Sequence, residues 1–411
     1  MKTHEMLVIG GGASGMIAAI IANEYGNDVA VLEGQNRIGK KVLTTGNGRC
    51  NIANSNIVPP YSNYHSFNPK FYTNVLDQLT VNDTLDLFYR LGIPIIELKK
   101  GKLYPKSLQA ASVVDLLRMN IDEKNIPIYI ESLVTSIKRE NGSFVIGVNH
   151  PDYKQFKCKK LIIATGGISA PFTGSDGSMF KMLEKLGHTI THLLPSIVQL
   201  KLNYNKLKSI SGVRFDALVH VKVNGDLIRT DFDEVLFTDY GISGPAILQV
   251  SRNASIALAK KQKVDIVIDI FHDYTKQEVI DFFDNHFGLF SHRTVSDSLN
   301  GILNKKLIPI LLRDAGIEIH KTCDTLTYLE KKNLYHLFKE WTFECTDTNG
   351  FKNAQATIGG VDTREVDDKT LESKVVENLY FCGEVLDVDG DCGGFNLQWA
   401  WSSGFVCGKS Q

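Results

Sequence analysis

The stretch MLVIGGGASGMIAAIIANEYGNDVAVLE, Met6 to Glu33, constrains the fold more than any other part of the chain. The apolar residues Met6 to Ile9 run straight into glycine, as in a strand buried on both faces of a parallel sheet. From Ser14 the sequence is rich in Ala and Ile and stops at Gly26, which predicts a helix ended by a glycine. Asp28 to Glu33 reads as a second strand that ends in an acid. Strand, turn, helix and strand form a βαβ unit, which predicts an α/β protein with a doubly wound parallel sheet.

Gly10, Gly12 and Gly15 fill the template GxGxxG, with Ala13 and Ser14 between the last two. The first glycine permits the tight turn, the second lets backbone approach a pyrophosphate, and the third lets the helix pack on the strand. The helix start presents free amide N–H groups and a partial positive charge to phosphates. Glu33 stands at the end of the second strand, where a carboxylate can accept from ribose hydroxyls. An acid here disfavours a 2′-phosphate, so FAD or NAD is expected rather than NADP. The glycine pattern alone does not separate those two.

Three further segments should return to the same cleft. Residues 37–51, RIGKKVLTTGNGRCN, have neither helical nor strand periodicity and carry Arg37, Lys40, Lys41 and Arg49 among small residues. Such a loop can wrap an extended anion, with Gly46 and Asn47 allowing close backbone approach. The run LIIATGG is a buried strand delivering Ala164, Thr165 and Gly166 to the ligand edge of the sheet. Residues 128–137 and 143–148 alternate as strands, which puts Val134 near an adenine edge.

The third segment is VVENLYFCGEVLDVDGDCGGFNLQWAWSSG, residues 375–404. Asp387, Asp389 and Asp391 fit the first three odd positions of a calcium loop, but Cys392 stands where its glycine belongs and Gln398 where its bidentate Glu belongs. The better reading is a strand ending in Gly383-Glu384, a glycine loop, and a helix from about Asn396 whose amides face the cleft. Trp399 and Trp401 are expected to be packing residues.

Composition removes several alternatives. The net charge of −1 offers no global basic excess for nucleic acid or an anionic membrane, so neither is expected as a partner, although local patches remain open. The 7 cysteines include no CxxC pair, which argues for a reducing compartment and against zinc or a disulfide framework. The 11 histidines include no HExxH, and His188, His220 and His272 read as surface or satisfied core residues rather than metal ligands. No metal site is expected, and no GxSxG elbow is present. The uncharged run from Met6 to Ala22 could pass for a signal peptide, but three consecutive glycines interrupt it, so a cytoplasmic protein is expected.

Taken together, VIGGGASGMIAA, GKKVLTTGNGRCNIAN, LIIATGG, FTDYGISGPAILQVSR, ATIGGVDTREVD and NLYFCGEVLDVDGDCGGFNLQWAWSSG resemble the BaiN-like flavoprotein family, which includes aminoacetone oxidase. The resemblance spans the whole chain. It implies a glutathione-reductase-type FAD domain interrupted by a substrate-side insertion. It also implies that Gly10, Gly12 and Ser14 hold the pyrophosphate, Glu33 the adenosine ribose, and Lys40 and Lys41 the loop beside the phosphates. Asn47, Arg49 and Cys50 would lie near the isoalloxazine, Gly383 and Glu384 on the ribityl-phosphate side. The amides of Asn396, Leu397 and Gln398 would meet the pyrimidine edge, where a positive helix end tunes the flavin potential.

Between residue 195 and about 353 the texture changes to alternating strands, with Asn224-Gly225 as a hairpin signal and a helix beginning near Pro245. Helical periodicity follows from 275 to about 332. The expected organisation is an FAD-binding domain from 1–195 and 354–411, a β-rich insertion from 196–274 and 333–353 that shapes the substrate pocket, and a helical subdomain from 275–332. The expected function is an FAD-dependent oxidoreductase acting on a small molecule. With one GxGxxG, it is either an oxidase returning electrons to O₂, as in aminoacetone oxidase, or a reductase served by transient NAD(P)H. A thiol enzyme using Cys50, Cys382 or Cys392 and an RNA-associated flavoprotein are the rival classes.

Overall fold

The computed structural model describes residues 1–410, which form two compact units, residues 1–194 with 354–410 and residues 195–353. The first unit opens with strand β1, Met6–Ile9, buried at every position. Helix α1, Ala13–Glu24, follows directly, and strand β2, Val29–Leu32, completes the crossover. Gly26, at φ +90°, stops the helix in the left-handed region that costs glycine least.

Next come the short strands β3, Ala53–Asn54, and β4, Tyr64–His65, then helices α2, Phe71–Gln78, and α3, Val81–Arg90. A hairpin of β5, Ile95–Glu97, and β6, Lys102–Pro105, packs beside β3 in a three-stranded antiparallel sheet. Helix α4, Ala110–Glu123, leads to strand β7, Ile128–Tyr129. The expected long strand over 128–137 breaks here. Glu131 has φ +53°, and the amides of Glu131 and Ser132 donate to the carbonyls of Gln35 and Glu33. Val134 therefore falls in Leu133–Glu140, in a separate four-stranded sheet with Ser143–Asn149, Gln155–Cys158 and Lys2–Thr3.

Strand β8, Lys160–Ile163, and the distant β9, Leu379–Phe381, finish the central sheet. Its order is β9-β8-β1-β2-β7, parallel throughout. After β9 come β10, Asp389–Gly390, and the C-terminal helix α5, Phe395–Lys409. Helices α1 and α5 meet at backbone distance: a Cβ on Gly404 would lie 2.5 Å from the Ser14 carbonyl oxygen, and one on Gly408 2.6 Å from that of Ala18. Small residues at one helical spacing make that approach possible. Trp399 and Trp401 are fully buried, their indole N–H groups donating to the carbonyls of Gly383 and Ile52.

The second unit is a closed six-stranded barrel with its own apolar core. All its strand pairs are antiparallel, and the longest hairpin, Arg214–Val223 with Asp226–Phe237, turns at Asn224 and Gly225, both at positive φ. Helix Pro245–Ala259 starts at its proline, which has no N–H to leave unpaired. The helical region does not end near 332. Helix Tyr328–Glu340 runs through that point and feeds directly into barrel strand Trp341–Thr348, because Leu334, Tyr335 and Phe338 keep one face buried.

Candidate functional site

Gly10, at φ +105°, turns the chain against the end of β8, where a Cβ would lie 2.5 Å from the Ala164 carbonyl oxygen. On Gly15 a Cβ would come within 1.9 Å of the Gly10 carbonyl oxygen, so the first and third glycines are demanded by the protein's own packing. Gly12 differs: a Cβ there would meet nothing within 4 Å. The bare backbone at this position is clearance that suits a ligand. The first helical hydrogen bond of α1 is Met16 N–H to Gly12, so the amides of Ala13, Ser14 and Gly15 precede the helical ladder. The Ser14 hydroxyl is committed elsewhere, donating to the Cys382 carbonyl at 3.3 Å, which leaves Ser14 its amide for an anion.

Glu33 lies at the end of β2. Its carboxylate accepts from the Gly11 amide at 2.8 Å and the Gln35 amide at 2.7 Å. Burial pushes its pKa up, while these amides and Lys40 oppose the shift. The amides aim both oxygens and leave lone pairs for a pair of hydroxyls. Lys40 donates to the Gln35 side chain at 2.8 Å and so stands beside Glu33, while Arg37 is exposed. Buried Val134 follows the segment that hydrogen bonds the Glu33 carbonyl.

The loop over 37–51 is not irregular throughout. Gly39, at φ +71°, starts a single helical turn, Lys40–Thr44. That turn aims Lys41 across the sheet edge at Glu384, with Nζ 2.6 Å from Oε2. The other Glu384 oxygen accepts from the Thr357 amide at 2.6 Å and the Ser169 hydroxyl at 2.8 Å. Glu384 is thus a brace among four chain segments, a role that spacing did not reveal. Ser169 and Thr357 were missed for the same reason, although Thr357 sits in the ATIGGVD motif. Gly383 donates its amide to Ser403 Oγ at 2.8 Å, and Gly166, at φ +73°, abuts Ser175.

Gly46, Asn47 and Cys50 take φ values of +56°, +55° and +60°, a run of left-handed backbone that holds this loop in one shape. Cys50 is fully buried and its thiol is pushed up to about 12, whereas Asn47 and Arg49 are exposed. Opposite in sequence, Gly394 at φ +104° begins α5. The expectation for Gln398 is corrected here: its amide donates to Gly394 within the helix, and its side chain turns to Leu79, Thr84 and Ser402. A fourth helical residue is where the ladder begins, so only Phe395, Asn396 and Leu397 keep free amides. The Asn396 side chain braces Gly390 through two hydrogen bonds, of 3.0 and 2.8 Å.

Two aspartates of the DVDGD run are held by the 63–67 loop. Asp387 accepts from the Phe67 amide at 2.9 Å, and Asp391 binds His65 at 3.1 Å and Asn63 at 3.0 Å, while β10 pairs with β4. They clamp the 63–67 loop. No cluster of three or more metal-ligating side chains occurs among the described residues. His188 is held between Glu365 at 3.1 Å and Ser373 at 2.9 Å, a satisfied core residue.

A flavin dinucleotide fits these residues. Besides the clearance at Gly12, the buried oxygens Asn51 Oδ1 and Thr165 Oγ1 have no partner in the protein, and both stand on loops at this sheet edge. A parallel sheet with a glycine turn, a strand-end glutamate and two helix N-termini defines a Rossmann-type flavoprotein. The chain matches the family model described as HI0933-like protein Rossmann domain over residues 4–410 and belongs to that family. It is an FAD-dependent oxidoreductase.

The chain is similar to a 3-dehydro-bile acid delta(4,6)-reductase of Clostridium scindens, 38% identical over 405 residues and 98% of each chain. It is also similar to a ribosomal RNA dihydrouridine synthase of Haemophilus influenzae, 32% identical over 99% of this chain and 98% of the relative. A second ribosomal RNA dihydrouridine synthase, of Escherichia coli, is 29% identical over 100% of this chain and 98% of the relative. In fold it is similar to a 3-ketosteroid delta1-dehydrogenase of Sterolibacterium denitrificans, with a TM-score of 0.52, 10% identity and 99% of both chains covered. No helix among the described residues is long and apolar enough to cross a membrane.

Proposed function

We propose that the protein reduces a ring carbon–carbon double bond conjugated to a carbonyl, using electrons from a nicotinamide dinucleotide. The observation that carries this reading is the chemistry shared by the full-length relatives. A delta(4,6)-reductase of a 3-oxo bile acid and a dihydrouridine synthase differ widely in substrate, yet each saturates an alkene polarised by a neighbouring carbonyl. FAD, when bound, would supply two-electron hydride chemistry.

The chain's own residues supply binding and electrostatics. Ala13, Ser14 and Gly15 offer amides to the pyrophosphate, Glu33 takes the ribose, and Thr165 and Asn51 offer buried oxygens to the cofactor. The α5 amides of Phe395 to Leu397 place positive potential where negative charge grows on reduction. A single glycine fingerprint makes the nicotinamide a transient visitor rather than a resident.

Buried Cys50, its thiol held near 12, is a poor nucleophile, which weighs against a dithiol enzyme. The test is anaerobic reduction of the FAD-loaded protein with NADH or NADPH, then mixing with a 3-oxo-4,6-diene steroid, a uridine-containing ribosomal RNA transcript, or air. Reoxidation by one of the two conjugated substrates, faster than by air, is expected. If aminoacetone bleaches the flavin and air alone restores it, the protein is an oxidase instead.

A further inference from the structure

Residues 98–106, LKKGKLYPK, contain four lysines and no acid. They form the tip and second strand of the β5–β6 hairpin, whose register sets Glu97 opposite Leu103. The tip is held in place. Lys100 and Gly101 are left-handed, at φ +62° and +72°, the Ser55 amide donates to the Gly101 carbonyl, and a Cβ on Gly101 would be 2.6 Å from Asn54 Oδ1. Asn54 Nδ2 in turn donates to the carbonyls of Lys100, at 3.3 Å, and Gly393, at 2.9 Å.

This hairpin borders the loops assigned to the ring side of the cofactor. A Cβ on Gly46 would lie 3.3 Å from the Tyr104 ring, and one on Gly393 3.8 Å from Lys102 Cε. Arg49 is near enough to act on the Tyr104 hydroxyl. Arg49, Lys99 and Lys106 are exposed and Lys102 half-buried, and none of the four is paired with a carboxylate. The only acid of the hairpin, Glu97, accepts from Ser55.

Three lysines of the second unit differ. On the second unit's helices Lys276, Lys331 and Lys339 are each neutralised, by Glu340, Asp284 and Asp269. The net charge of −1 therefore conceals a local surplus beside the redox site. Several unpaired cations spread along a rigid hairpin suit a polyanion better than a single phosphate, which one fork of donors would hold.

We propose that the β5–β6 hairpin with Arg49 is an RNA-docking surface, gripping the phosphate backbone while an unstacked uracil enters the site. Phosphate contacts would set register, and the pocket would read the base. The proposal rests on the reductase reading, with uracil as the conjugated ring.

Fluorescence anisotropy of an unmodified ribosomal RNA transcript, titrated with FAD-loaded protein from 50 to 250 mM KCl, tests it. The double variant Lys99→Ala, Lys106→Ala should bind about tenfold more weakly at 100 mM salt, with a salt slope lower by about one per lysine lost. The control Lys331→Ala, Lys332→Ala should stay within about twofold of wild type. Flavin absorbance and Tm verify folding, and Lys99→Glu alone serves if the double variant fails that check. Equal binding by hairpin and wild-type proteins overturns the proposal. So does a raised KM for NADPH with unchanged RNA affinity, which would make the hairpin a dinucleotide site. RNA held through the hairpin without dihydrouridine formation would keep the docking surface and sink the reductase reading instead.

Discussion

Lys41 Nζ and Glu384 Oε2 are 2.6 Å apart, joining residues separated by 343 positions in the chain. The pair is only partly exposed, at 25% and 19%, and the carboxylate also collects the Thr357 amide and the Ser169 hydroxyl. The two sequence-distant portions of the first unit are thereby fastened at the ligand edge of the sheet.

Glu384→Ala strands an ammonium and an amide together. A loss of about 1–3 kcal/mol in urea unfolding is expected, the range for leaving partly buried hydrogen-bonding groups without their partner. Lys41→Met should cost less, because Thr357 and Ser169 still satisfy the carboxylate.

Glu33→Ala removes the acceptor for two backbone amides and, on the proposed assignment, the partner of the adenosine ribose. FAD affinity should weaken by about tenfold or more, equivalent to ~1.4 kcal/mol, and lower the flavin-to-protein absorbance ratio after gel filtration. An unchanged ratio would refute the ribose assignment.

Gly404→Val forces side-chain carbons into the Ser14 carbonyl across the α1–α5 contact. The helices would have to separate exactly where α1 presents its amides, so both stability, by about 1–3 kcal/mol, and flavin affinity should drop. Differential scanning calorimetry with and without FAD reads both.

Asp387 is buried, and desolvation raises its pKa from 3.8 to about 6. The fold thus binds this proton more tightly than the unfolded chain does. The stabilisation is complete below about pH 4 and is lost as pH climbs through 6. Asp387→Asn keeps an acceptor for Phe67 and carries no charge. Its unfolding free energy relative to wild type should rise between pH 4 and 7, by up to about 3 kcal/mol, with Tm rising in step. A constant Tm difference across that window would show that the carboxyl is ionised throughout.

Cys50→Ser should leave oxidoreductase turnover within about threefold of wild type, since burial pushes the thiol up to about 12 and keeps it protonated at neutral pH. Turnover abolished in a protein that still holds flavin would reinstate thiol chemistry.

The parts of the fold legible in the sequence were those built from contiguous residues. The βαβ unit, the glycine turn and Glu33 lie within 28 residues, and each obeys a local rule of periodicity or backbone freedom. The Asn224-Gly225 hairpin and the proline start of the helix at 245 were legible on the same ground. Where a strand is broken by contacts from elsewhere, as at Glu131, the alternation of residues 128–137 misleads. The carbonyls of Glu33 and Gln35 that capture the backbone there are about a hundred positions away.

The sequence by itself determined the glycine turn and the parallel sheet that presents it, because a tight turn needs glycine and a strand buried on both faces needs a continuous apolar run. Only the tertiary structure decided that Glu384 braces the site, that Asp387 and Asp391 clamp the 63–67 loop, and that Gln398 turns into the core. These are pairings of side chains hundreds of residues apart. Their partners are chosen by how the chain packs, and no local pattern encodes them.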